Sequence, residues 1–532
     1  MKAVIQYLDQ FNTWSTEKME MILNKLHPVK KTLSLLLFLL SLNWLYYYVG
    51  IYNYLEVRPS SIHSSAQCQR ASIALNYYEV DMNFFQPRLQ KYTDGGGVTG
   101  VEFPILYYLD ALAYKIFGFN EAIARAISLS IVSLGFFFFF LLARKLLNNS
   151  LMALAVVGSA AFSPVLLFYS PNFMPDAPSM ALVLVAWFNF FRYREGRKQK
   201  YLNYFFMFSA LAALIKVVAL MSPIVLLCLA VLDKMGFFKK TEPQPLFPKV
   251  YPVIIGVGLV VLVVFAWYFY ADHLAWIHQN ETFSMRPIPG EPGTFKQLLE
   301  YLQGVWLFQY YSYESYVLMI SSLVVMIIFH KFVSRLLFSI TLFLFLGNVC
   351  FVYLFLNQFI HHDYYIISIL PLIFFLFLTL ADTINTLANR YFVALRFIFL
   401  VIVFFNMKEA VLNCRLNYEY RYSNKIYYTT YDHRPYFDLE KRLREAGIKR
   451  DDITISGFDD TFCSTLYLMN QVGWPIHSWE SVSEIKDMLG HPKSKYLILN
   501  DTARFNQLLP NDLDKHILFS HRGLIVYKLK DK

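Results

Sequence analysis

Apolar residues in this chain come in long blocks rather than alternating with polar ones. The blocks fall at 33–52, 123–143, 151–170, 177–193, 202–215, 217–233, 250–270, 315–330, 333–357, 364–381 and 391–411. A helix that crosses a bilayer needs about 20 mostly apolar residues, so the pattern predicts about 11 membrane-spanning helices, two of them short and meeting at Lys216. The segment 104–118 (PILYYLDALAYKIFG) is also apolar but carries Asp110 and Lys115. It predicts an interfacial helix with Tyr107, Tyr108 and Tyr114 at headgroup level. ASIALNYY, within the same loop, predicts a second one. After residue 412 the pattern changes. Helix-like FDLEKRLREAG (437–447) and TFCSTLYLMNQ (461–471) alternate with strand-like DITIS (452–456) and KYLILN (495–500), and ILFSH and LIVYKL close the chain around Arg522-Gly523. That alternation predicts a small α/β domain over 413–532, following a membrane domain over 1–412.

Composition sharpens this reading. Of 532 residues, 56% are hydrophobic, 18% aromatic and 16% charged. Soluble domains hold about 45–50% apolar and about 25% charged residues, so a water-soluble enzyme, a disordered chain and a collagen-like repeat are all excluded. The net charge of +10 is spread between the apolar blocks, which argues for loop orientation and against nucleic acid as a partner. Lys25, Lys30 and Lys31, Arg144 and Lys145, the stretch 192–200, Lys234, Lys239 and Lys240, Lys331 and Arg335, and Arg390 all fall on one side if the N-terminus is cytoplasmic. The segments 53–122, 271–314 and 413–532 then face outward. Reading 104–118 as a span would break that alternation. The first apolar block lacks a small-residue cleavage site and is expected to remain as a span. Five scattered cysteines form no CxxC pair or zinc spacing, so neither a disulfide framework nor a metal is expected. Phe136 to Phe140 are expected to face lipid, and Gly95 to Gly97 to form a hinge or lid.

In a membrane protein the polar groups at a membrane face are the informative ones, because they cost free energy unless used. The first outer loop offers His63, Gln69, Arg70, Asp81, Asp94, Glu102, Glu121 and Arg125. Asp81 and Asp94 read as turn residues. Lys216 interrupts an apolar stretch, either as a functional cation or as a snorkelling one. Asp176, between Pro175 and Pro178, is equally a helix cap or a working carboxylate. Glu121 and Arg125 have the i, i+4 spacing of a surface pair. His361 and His362 precede Asp363 with no third ligand at metal spacing, and Arg286 lies in a Pro/Gly-rich loop that reads as solvated surface.

The order of these features resembles the C-type (GT-C) glycosyltransferase superfamily, in the branch of protein O-mannosyltransferases and lipid A aminoarabinose transferases. The resemblance is carried by Glu102-Phe103-Pro104, Phe117-Gly118, Glu121 with Arg125, MPDAPS (174–179) with Asp176, Lys216 in LIKVVAL, HHDYY (361–365) before Pro371, and LYLMNQVGW (466–474) in the outer domain. It covers about the first 230 residues and is patchy beyond.

What the resemblance implies is a polyprenyl-phosphate sugar donor, an acceptor that is a protein, lipid or glycan, no cofactor, and a site at the outer, periplasmic face of a bacterial inner membrane. One departure stands out. Gln69 occupies the place where the branch has a catalytic aspartate, and an amide does not titrate in water. Glu102 is the favoured base, ahead of His63, with Asp81 and Asp176 as the other neighbouring acids. Lys216 and Arg125 would hold the donor phosphate, followed by His361, His362 and Arg286. Two other readings stay open: a non-catalytic relative that binds lipid phosphate within a membrane assembly, and a transporter of lipid-linked sugars. Against the transporter, no inverted repeat or pair of broken helices is visible in matching halves.

Overall fold

The computed structural model describes residues 27–241, 244–280, 294–423, 431–509 and 515–529. It is a helical membrane protein with a small sheet domain at one end. Among the described residues, six helices are long and apolar enough to cross a bilayer: Thr32–Val49, Glu121–Leu147, Val217–Lys234, Tyr251–Ile277, Arg335–Leu354 and Asp363–Arg390. A seventh span arises if Thr294–Tyr310 and Tyr313–Ile328, bent by 97°, count as one. Three further expected blocks are helical but shorter or richer in charge: Asp176–Gly196, Gln199–Ile215 and Ala394–Tyr422. The block 151–170 is broken into Ser150–Ala161 and Pro164–Tyr169. Ser163 causes the break. It caps the second piece by accepting from Leu166 N–H, with Pro164 at the first helical position.

The Phe136–Phe140 run departs from expectation. Phe136, Phe139 and Phe140 are fully buried. Phe139 packs edge-on to Phe374 and Phe375, while Phe140 stacks on Phe38. Gly135 next to them has no room for a Cβ, which would sit 2.6 Å from Ala181. The helix therefore lies inside the bundle, and its rings fill space that a lipid-facing helix would leave to acyl chains.

The Ile105–Phe117 helix is two-faced, as its pattern predicts: Leu109, Leu112, Ile116 and Phe117 are exposed. Two of its three tyrosines, however, face the protein interior. Tyr107 and Tyr114 are buried on its inner face. Gly95–Gly97 is a packed turn rather than a hinge. Gly96 and Gly97 have φ of 66° and 77°, and a Cβ on Gly97 would lie 2.3 Å from the Leu89 carbonyl.

The C-terminal domain has a five-stranded sheet in the order β2-β1-β3-β5-β4, with β1 at Ile453–Gly457, β2 at Gly473–Ile476, β3 at Ser494–Leu499, β4 at Lys515–His521 and β5 at Leu524–Leu529. β1 pairs in parallel with β2 and β3, and β5 runs antiparallel to β3 and β4. The β4–β5 hairpin turns on Arg522 and Gly523, both at positive φ, the geometry that matches strand twist in a tight hairpin. β2 escapes the sequence pattern because it is four residues long and contains Pro475, which only an edge strand tolerates.

This domain is stitched to the first outer loop. Tyr92 N–H donates to the Gly473 carbonyl at 2.7 Å, and Gly473 N–H donates to Gln90 at 3.1 Å. Arg58 reaches the carbonyls of Phe437 and Leu468 and pairs with Glu121 at 2.8 Å. Arg450 pairs with Glu79 at 2.8 Å.

Candidate active site

The site begins with a helix that ends early. Gln199–Ile215 stops at Lys216, whose extended backbone (φ −147°, ψ 109°) separates it from a short 3₁₀ turn. A helix end leaves carbonyls without intrahelical partners. Here Leu214 O accepts from Phe103 N–H at 3.0 Å and from the Tyr268 hydroxyl at 3.3 Å. Trp267 fixes the preceding carbonyl, Val101 O, at 3.0 Å. Glu102 lies between these two anchored residues and is thereby held beside the lysine.

Glu102 is 2% exposed. Its Oε1 accepts from Arg70 Nε at 3.2 Å and from the Tyr107 hydroxyl at 2.5 Å. Its Oε2 is buried and has no hydrogen-bond partner. Burial works to raise this carboxyl, but Arg70, then the Tyr107 hydroxyl and Lys216, outweigh it and hold it below the usual glutamate range. The Tyr107 phenol moves the other way, pushed well up by burial and by Glu102, so it stays a donor. Gln69 is buried next to Arg70. It accepts from the guanidinium at 3.5 Å and donates to Ser65 at 3.3 Å, contacts that orient a cation rather than move a proton.

Asp176 is the first residue of its helix. Pro175 is the cap, so the capping reading of Asp176 does not hold. Its Oδ1 lies 2.8 Å from Lys216 Nζ, its side chain is fully enclosed, and Oδ2 has no hydrogen-bond partner. The helix N-terminus favours the carboxylate there. Lys216 keeps 18% of its side chain exposed and lies over the rings of Tyr365 at 4.9 Å and Tyr364 at 5.4 Å.

Those tyrosines follow a second polar group, centred on Asp363. Its Oδ1 accepts from the Tyr169 hydroxyl at 2.8 Å and faces His63 Nε2 at 3.2 Å; its Oδ2 lies 2.7 Å from Arg421. Arg421 is wholly buried, donates to Gln309 at 2.6 Å, and lies over Phe168 at 4.8 Å. His63, at a positive φ of 54°, also packs edge-on against His362 and Tyr364.

The structure thus brings together Glu102, Asp176, Lys216, His63, His362 and Gln69, and it separates out the other expected residues. Arg125 is 1% exposed and spends its guanidinium on the carbonyls of Val57 (2.8 Å) and Pro171 (2.9 Å) and on the Tyr422 hydroxyl. It is a structural clamp and not an open phosphate ligand. Glu121 pairs with Arg58 instead of with Arg125. His361 is exposed. His362 is stacked on Tyr364 and Tyr365, and burial, then His63 and Lys216, push its imidazole down to about 3. Arg286 lies outside the described residues. Among those residues, no group of three or more His, Cys, Asp or Glu is placed to hold a metal.

Sequence reasoning named Arg70, Tyr107 and Asp363 without giving them a part in the site, and it passed over Arg421. Arg70 and Asp363 had a signal, since each stands beside a residue that was singled out. Arg421 had none: the last apolar block appeared to end at 411, but its helix runs on to Tyr422.

Membrane helices around an acidic and basic cluster, with a small sheet domain packed on the first loop, have the GT-C fold. The comparisons with known proteins agree. Residues 102–269 match the family model described as dolichyl-phosphate-mannose-protein mannosyltransferase, a range that opens on Glu102 and contains Asp176 and Lys216. The structure of ArnT from Cupriavidus metallidurans bound to undecaprenyl phosphate superposes with a TM-score of 0.57 at 11% identity, over 93% of this chain and 97% of that one. Its apo state gives 0.54 at 11% identity, over 92% and 98%. No curated protein matches the chain in sequence. The resemblance to the protein O-mannosyltransferase and aminoarabinose transferase branch is therefore shown, by fold over nearly the whole chain and by sequence over 102–269.

Proposed function

We propose that this protein is a membrane glycosyltransferase that moves a sugar from a polyprenyl-phosphate donor to a protein, lipid or glycan acceptor, at the outer face of a bacterial inner membrane. The observation that carries the reading is the pairing of two buried carboxylates, each with one unpartnered oxygen, with two cations that remain partly open. Glycosyl transfer develops positive charge at the anomeric carbon and negative charge on the departing phosphate. Lys216 and Arg70 are placed to bind that phosphate, the arginine with the planar fork suited to it. Glu102 Oε2 is the acceptor's base, and its lowered carboxyl keeps it ionised at neutral pH. Asp176 holds the lysine and faces the cationic centre. His63 belongs to the Asp363 group and has no part in the proton transfer. Gln69 acts by orienting Arg70, so the missing aspartate leaves the base role to Glu102. The ArnT structure that holds undecaprenyl phosphate supports a lipid phosphate as the donor's carrier.

The test is transfer from radiolabelled polyprenyl-phosphate sugars to a periplasmic extract, using the full chain in detergent. Wild type is expected to transfer and Glu102→Gln to bind donor without turnover. Donor binding with no transfer in wild type, restored in Gln69→Asp, would instead assign the chain to the non-catalytic relatives.

A further inference from the structure

A groove lies toward the opposite end of the helix that stops at Lys216. The helices Gln199–Ile215 and Tyr251–Ile277 pack side by side and leave between them a groove of about 630 Å³. One wall is a single helical stripe, Gln199, Asn203, Phe206 and Ala210, at spacings of three and four residues. The other, Tyr251, Ile255, Leu259 and Val263, recurs every four. Phe206 forms the floor. Its ring presses so closely on Gly256 that a Cβ there would lie 2.2 Å away.

The groove is polar at one end only. Gln199 donates to Asn203 at 3.0 Å, and Tyr251 stands opposite them with Lys249 Nζ 5.9 Å from its ring. Above that end sits the stretch 192–200, with Arg192, Arg194, Arg197, Lys198 and Lys200 against one acid, Glu195. Glu195 is already engaged by Lys145. Lys198, Lys200 and Lys249 are exposed. From Tyr251 to Val263 the groove runs about 18 Å at 1.5 Å per residue, close to the roughly 15 Å of one leaflet.

From these features we infer that the groove binds an anionic phospholipid of the leaflet on the basic-loop side, which the charge distribution makes cytoplasmic. An acyl chain lies along Phe206, Ile255 and Leu259, and the headgroup phosphate meets Lys249 and Lys200. The donor lipid does not fit this place. Its phosphate must reach Lys216, about 25 Å farther along the same helix from Gln199, and an isoprenoid tail offers nothing to two amides and a phenol. The site would anchor this helix pair while its far end, at Leu214 and Lys216, holds the reactive cluster.

Native mass spectrometry of the full chain, with phosphatidylglycerol, phosphatidylcholine and polyprenyl phosphate titrated in separate runs, tests the inference. Phosphatidylglycerol is expected to bind about tenfold more tightly than phosphatidylcholine, an advantage lost in Lys200→Glu/Lys249→Glu. Leu259→Trp, at a lipid-exposed position that leaves the helix interface intact, is expected to block both phospholipids and to leave polyprenyl phosphate unaffected. Equal binding of the two phospholipids, or indifference to both variants, overturns the inference. So does loss of polyprenyl phosphate in Leu259→Trp, which would make the groove part of the donor's path. Retained polyprenyl-phosphate binding in wild type reports on the glycosyltransferase reading separately.

Discussion

Two carboxylate groups lie close together at one end of the helical bundle, and they are built differently. Asp363 has a partner on each oxygen: Tyr169 and His63 on one, Arg421 on the other. Its charge pair is sealed, with Asp363 and Arg421 at 0% exposure. Glu102 and Asp176 each keep one oxygen without a hydrogen bond, and their cations Arg70 and Lys216 retain 11% and 18% exposure. A buried charge pair whose members are both closed to solvent fixes structure, and separating them leaves an uncompensated charge. One left partly open costs free energy that a ligand can recover. The first group therefore ties the Ala394–Tyr422 helix to the first loop, and the second is the proposed reaction site.

Breaking the second group should remove turnover without unfolding the protein. Glu102→Gln is expected to lower transfer by about 10²–10⁴-fold, with the melting temperature close to wild type. A large loss of stability instead would make Glu102 another structural acid. Breaking the first group should do the reverse. Asp363→Ala leaves Arg421 buried without its counter-charge and is expected to cost about 3–5 kcal/mol, read as a collapse of the monodisperse yield in detergent. Restoration of yield by a second change, Arg421→Met, would establish that the unpaired charge is the cause.

A smaller effect separates charge from shape. Arg70→Lys keeps the charge but loses the planar fork, so transfer should fall by about tenfold while Glu102→Gln stays far more damaging. Equal effects would mean that Arg70 only balances the carboxylate.

The smallest expected effect concerns an acid outside both groups. Asp110 is buried on the interfacial helix, and burial alone pushes its carboxyl up to about 8. Its folded value is raised above the unfolded one, so the folded state binds the extra proton and stability falls as pH rises from about 4 toward 8. Asp110→Asn should remove that slope, raising stability at pH 8 relative to wild type and changing little at pH 4. An unchanged pH profile of thermal unfolding would contradict the assignment.

The sequence by itself determined a good deal. Block lengths revealed a membrane protein, and alternation after residue 412 revealed the sheet domain, because burial in lipid and pairing in a sheet both leave periodic traces. It also placed Glu102, Asp176 and Lys216 on the candidate list, since each is a charge that an apolar or proline-flanked context makes expensive. What it did not contain was which charges meet. Arg125 looked as available as Lys216, yet it is consumed by backbone carbonyls of residues 57 and 171. Asp363 looked like a neighbour of two histidines, yet its counter-ion comes from residue 421, at the far end of a helix whose apolar signal had already faded. Phe136 to Phe140 read as lipid-facing because a phenylalanine gives no sign of whether its neighbour is an acyl chain or another ring. Hydrophobic pattern is a property of each segment and is legible locally. The partner of a buried charge depends on the crossing of helices distant in sequence, and only the tertiary structure decided it.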